Sequence, residues 1–201
     1  EAPSFTPGFS AEATYGNFNA WGVAGSVTGP ITDQIAGRLY VAKRERDGFY
    51  DVITGAGPRQ EKDDQNQNFW TARGQLLILP SDEVSIRLIA DYTFRDEKCC
   101  AATYVDNSVN HFIGNLNNPG VPATATSNNI IRVLADLGQP LSAFNQGYGR
   151  GISVSPGRSY AGETKDYGFS GQIDYDFGGA TLTSITAYRE YRSGQAGDVD
   201  Y

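Results

Sequence analysis

The segment Val84–Arg95, VSIRLIADYTFR, changes character at every second residue. Val84, Ile86, Leu88, Ala90, Tyr92 and Phe94 fall on one side. Ser85, Arg87, Asp91, Thr93 and Arg95 fall on the other, and only Ile89 breaks the pattern. A period of two is that of a β-strand, whose successive side chains point to opposite faces. Ile35–Arg46 sets Ile35, Gly37, Leu39 and Val41 against Arg38, Tyr40, Arg44 and Arg46. Tyr167–Phe177 sets Tyr167, Phe169, Gly171, Ile173, Tyr175 and Phe177 against Ser170, Gln172, Asp174 and Asp176. Trp21–Thr28 repeats the alternation, Phe69–Leu79 follows it more noisily, and Phe9–Tyr15 and Thr181–Tyr191 carry it weakly. The chain therefore reads as all-β, an antiparallel up-and-down meander of about seven strands.

The connections constrain the architecture further. Gly29–Asp33, Pro80–Glu83 and Gly178-Gly179 are rich in turn formers and read as tight turns. Between them lie long polar connections, about 47–68 and about 96–166. Short turns at one end and long loops at the other describe a transmembrane β-barrel. No apolar run is long enough for a membrane helix. The mean hydropathy of −0.41 is compatible with a barrel, since half of each strand and all loops can be polar. Trp21, Phe49, Tyr50, Phe69, Trp70, Tyr92, Phe94, Tyr167, Phe169 and Tyr188 fall towards the long-loop end, and Tyr175 and Phe177 towards the short-turn end. Two such levels match the two membrane interfaces. Within the second long loop, Ser127–Gly138 has helical spacing with a cap and a Gly-x-Pro stop, which predicts one short helix.

Other chemistry finds little support. The net charge of −7 disfavours nucleic acid. His111 is the only histidine, so neither a metal site nor a cofactor is expected. No nucleophile elbow, phosphate loop or zinc-protease motif occurs, so the chain is not expected to be an enzyme. Glu61-Lys62-Asp63-Asp64 reads as a solvated charge run. Glu1 opens the sequence without a methionine, and Ser193–Asp200 resembles the start of a loop, so residues 1–201 read as one interior piece of a larger barrel domain.

The segments themselves resemble TonB-dependent outer-membrane receptors. Ala13–Gly29, ATYGNFNAWGVAGSVTG, followed by Pro30-Ile31, looks like their first barrel hairpin. Gly37–Asp51, GRLYVAKRERDGFYD, is similar to the next ascending strand and its Arg-Asp-Gly-aromatic loop entry. Thr71–Arg95 and Tyr167–Tyr191 match the same barrel style, so the resemblance spans nearly the whole chain. It implies a portion of a roughly 22-stranded barrel with a plugged lumen. It also implies residence in the outer membrane of a Gram-negative bacterium, contact with its lipid, coupling to the TonB complex through a plug region not contained here, and uptake of a ferric siderophore or another scarce solute. Seven strands cannot close at that radius. The alternatives from the residues alone are a soluble β-rich carbohydrate-binding module and a passive porin-type barrel.

The polar face supplies the candidate ligand residues: Arg38, Tyr40, Arg44, Arg46, Arg73, Arg87, Asp91 and Arg95. Six arginines on one face of an acidic chain could steer anionic solutes, or could pair with acidic groups on neighbouring strands and the absent plug. Phe144, Tyr148 and Arg150 are the loop candidates. Cys99 and Cys100 are adjacent, with Cα atoms about 3.8 Å apart, below the usual disulfide range. They form a possible strained disulfide, pair with cysteines elsewhere, or stay free.

Overall fold

The computed structural model describes residues 1–53, 62–99, 150–153 and 157–197. The strands are β1 (Gly8–Gly16), β2 (Ala20–Thr32), β3 (Ile35–Arg46), β4 (Tyr50–Ile53), β5 (Asp63–Asp64), β6 (Gln67–Ser81), β7 (Val84–Lys98), β8 (Gly151–Ser153), β9 (Ala161–Asp176) and β10 (Thr181–Gln195). Among the described residues there are no helices, and the helix expected at Ser127–Gly138 lies outside them. Two compact units result. One comprises Glu1–Arg46, Gln67–Asp96 and Glu163–Gly194, and the other Asp47–Asn66, Glu97–Gly162 and Gln195–Tyr201.

The first unit is a seven-stranded sheet in the order β1-β2-β3-β6-β7-β9-β10, each long strand beside the next in sequence. Its seven strands are the seven marked by alternation. The register confirms the facing, because directly opposed residues share a face. Tyr40 lies opposite both Ser26 and Arg73, and Arg73 opposite Asp91. One row over, Val41 lies opposite Gly25 and Ala72, and Ala72 opposite Tyr92. Over β2, β3, β6 and β7 one face is thus mainly polar and the other mainly apolar, with Lys43 and Glu45 falling on the apolar side. Ile89 does face the polar side, opposite Gln75.

The turns differ from expectation in their boundaries. β2 continues through Gly29–Thr32, with an irregularity between Pro30 and Thr32, and the reversal falls at Asp33-Gln34. Pro80 and Ser81 belong to β6, which has a matching irregularity between Ile78 and Ser81, and the turn is Asp82-Glu83. A proline lacks the N–H of a ladder, so pairing is broken locally and the extra residue is absorbed as a bulge. Gly178-Gly179 is a turn as expected, with Phe177 N–H donating to the Ala180 carbonyl and Gly178 at φ 83°. At the opposite end β1 and β2 are joined by a tight turn, Asn17–Asn19, so that end also carries one short connection.

The apolar face has no second layer within its unit. Val27 is 55%, Leu88 42% and Phe169 60% exposed. The polar face is partly covered by the N-terminal segment, where Pro3 is buried, Ser4 N–H donates to Thr28 Oγ1 at 2.9 Å, and Gln75 Nε2 donates to the Glu1 carbonyl at 3.1 Å.

The second unit holds a three-stranded sheet, β5-β4-β8, in which β4 and β8 run parallel. The connection 47–68, expected to be a plain polar loop, therefore carries strands. Val52, Ile152 and Tyr160 form a small core, and the Tyr160 hydroxyl donates to the Asp63 carbonyl at 2.9 Å. The solvated charge run is also corrected, since Asp64 is fully buried. Its backbone pairs with Tyr50 in β4, and the neighbouring Asp63 carboxylate accepts the Gly48 N–H and pairs with Lys98. Local charge density alone does not reveal such long-range pairing.

Candidate functional site: the polar face of the large sheet

The alternation that builds the strands places Arg38, Tyr40, Arg44, Arg46, Arg73, Arg87, Asp91 and Arg95 on one face, by the register of β3, β6 and β7. Arg150 belongs to the second unit, where its carbonyl accepts the Asp51 N–H. Phe144, Tyr148 and Cys100 lie outside the described residues. Cys99 is disulfide-bonded.

The face is not the basic wall that six arginines suggest, because acids from distant strands are folded onto it. Arg44 pairs with Glu12 of β1 at 3.6 Å. Asp91 lies 3.4 Å from Arg73 and 3.1 Å from Arg189 of β10, and Arg189 also grips Asp166 of β9 at 2.8 Å. Arg95 stacks over the Phe69 ring, 4.9 Å from its centre. Phe69 lies opposite Arg44 and Arg95, so it is an aromatic of the polar face. Nearer the short turns, Arg38 pairs with Glu1 at 2.7 Å and donates to Ser26 at 3.0 Å. Ser26 and Ser10 hydroxyls are 2.8 Å apart. Arg87 donates to Gln75 Oε1 at 2.9 Å. Towards β10, Asp174 accepts from Gln172 and Thr183. Glu1, Asp166 and Arg189 were not singled out by the sequence. No local motif marks them, because each acts through a partner far along the chain.

In the β6–β7 turn, the Ser81 hydroxyl donates to Glu83 and holds its carboxyl below the usual range.

On the apolar face, Trp70, Tyr92 and Tyr167 form one aromatic level. The first pair has ring centres 5.0 Å apart and the second 6.5 Å. Lys165 lies 5.6 Å over the Phe94 ring beside it. Tyr175 and Phe177, 4.5 Å apart, mark a second level at the other end. Between these levels Leu39, Leu76, Leu88 and Phe169 surround Gly74 and Ala90 in a shallow apolar groove of about 1000 Å³. Among the described residues no group of histidine, cysteine and carboxylates has the arrangement of a metal site.

An all-β meander with one apolar and one polar face, banded by aromatics, defines a wall segment of a large antiparallel barrel. No protein-family model and no curated protein matches the sequence. A solved structure does match in fold: the chain is similar to the ferric yersiniabactin uptake receptor FyuA of Yersinia pestis. The TM-score is 0.68 at 14% identity, over 97% of this chain and 24% of that one. The chain thus spans about a quarter of the receptor's length.

Proposed function

We propose that this chain is part of the barrel wall of an outer-membrane receptor that takes up a scarce solute by TonB-coupled transport, with a ferric siderophore as the favoured cargo. The apolar face carries the reading. Val27, Leu88 and Phe169 stay exposed on a face that no second sheet of their unit covers. A soluble sandwich would bury such a face, whereas a lipid bilayer accepts it. The fold likeness to an uptake receptor supports transport over carbohydrate binding by a soluble module. The hydrogen-bonded polar face suits a wall lining a water-filled or plugged lumen. TonB, the solute and outer-membrane lipid are the partners of this reading, and the chain has no catalytic role in it.

The test is uptake. Deleting the gene that encodes the full polypeptide should abolish growth on one ferric siderophore under iron starvation, and loss of the TonB complex should reproduce the defect. Growth on every supplied siderophore without the gene would remove the cargo assignment. Uptake that survives loss of TonB would favour a passive porin-type barrel.

A further inference from the structure

The two charge clusters of the polar face are balanced differently. In one, Arg73 and Arg189 face Asp91 and Asp166, two cations with two carboxylates. In the other, Arg38 lies opposite Gln75 and Arg87 donates to it, and the one carboxylate there, that of Glu1, pairs with Arg38 alone. Arg38 is held in place, its side chain 12% exposed, with Glu1 on one side and Ser26 on the other. Arg87 spends one nitrogen on Gln75, while its Nε is buried without an acceptor. Among the described residues Arg87 has no carboxylate partner. Asp174, the acid on the neighbouring part of β9, is committed to Gln172 and Thr183. Gln75 is 6% exposed and cannot turn away, because its two ends are fixed by Arg87 and the Glu1 carbonyl.

A buried guanidinium presents a planar fork that favours carboxylate oxygens. A site with two guanidinium groups and one carboxylate therefore retains capacity for another. The carboxylate present is weakly held on its own side, for the Glu1 side chain is 80% exposed. Ion pairs of that exposure contribute little, and they yield to a ligand that engages both cations together. The rest of the strap is fastened to this face by the Ser4–Thr28 and Glu1–Gln75 hydrogen bonds and by the burial of Pro3.

We infer that Arg38, Gln75 and Arg87 form a site for a small solute bearing two or more carboxylates, and that the Glu1–Thr6 strap competes for it by placing the Glu1 carboxylate on Arg38. The inference rests on the reading of the polar face as solute-facing, and it adds a ligand class and a competitor to it.

The probe is citrate, titrated calorimetrically at low salt into the full-length polypeptide in detergent, with folding checked by heat-dependent electrophoretic migration. Glu1→Gln should tighten citrate binding about three- to tenfold. Adding Arg87→Gln to that background should weaken it about tenfold or more. Arg87→Lys keeps the charge but not the fork, and should fall between. It decides the matter if Arg87→Gln does not fold. Citrate affinity indifferent to Glu1→Gln, or unchanged by Arg87→Lys, would overturn the inference. Binding that follows these variants in a protein that transports nothing would leave the site standing and remove the transport reading.

Discussion

Asp91 and Arg189 stand 98 residues apart in the sequence and 3.1 Å apart on the polar face. Through that pair the acid of β7 reaches past β9 to the cation of β10, with Asp166 gripping the same guanidinium from β9 at 2.8 Å. Three strands are thereby tied by side chains as well as by their ladders. Arg189 is about half exposed, so the contribution is modest. A double-mutant cycle of Asp91→Ala with Arg189→Ala should give a coupling of about 0.5–1 kcal/mol. Asp91→Ala should cost more than Arg189→Ala, because it leaves Arg73 as well as Arg189 without that carboxylate. Denaturant unfolding in micelles measures all of these values.

The first hairpin carries a turn residue poorly suited to its backbone. Phe18 and Asn19 adopt φ of 60° and 52°, and Ala20 N–H donates to the Asn17 carbonyl at 3.2 Å. Positive φ at both central residues is the geometry of the tight hairpin turn that favours asparagine and glycine. Phenylalanine pays a steric penalty there. Phe18→Asn should raise stability by about 0.5–1 kcal/mol, read as a shift of the unfolding midpoint. A lowered midpoint would show that the Phe18 ring contributes more than its backbone costs.

In the small sheet, Gly48 passes so close to Asp64 that a Cβ would sit 2.2 Å from the Asp64 carbonyl oxygen. No rotamer relieves a clash with backbone. Gly48→Ala should separate β4 from β5 and expose the Tyr160 core, with a loss of about 2–4 kcal/mol. Protease sensitivity of this region should rise, while the large sheet should keep its resistance. Unchanged sensitivity would count against the described pairing.

The long strands were legible in the sequence because half-burial imposes a period of two, and that period survives even at Ile89, whose position opposite Gln75 follows the count and not its character. The turn at Asp33-Gln34 falls at the far end of the turn-forming run Gly29–Asp33, since Gly29 and Pro30 are absorbed into a bulged strand. The small sheet was invisible because β4, β5 and β8 are each four residues or shorter. Their partners also lie far away, and two of them pair in parallel. Of the candidate site, the arginines were legible as a face. Their partners were not, because Glu1 and Glu12 reach Arg38 and Arg44, and Arg189 with Asp166 reaches Asp91, only through the fold.

The central claim is that the face carrying Leu88 meets lipid. A scan placing arginine singly at Ile86, Leu88, Ala90 and at Ser85, Ile89, Thr93 in the full-length polypeptide tests it, read as the amount of heat-resistant folded protein in the outer membrane. Leu88→Arg should cost about 2–4 kcal/mol near the bilayer midplane, and Ile86→Arg and Ala90→Arg should also deplete the folded form, whereas arginine at Ser85, Ile89 or Thr93 should assemble nearly normally. Equal losses at both sets of positions, or normal assembly of Leu88→Arg, would contradict the account.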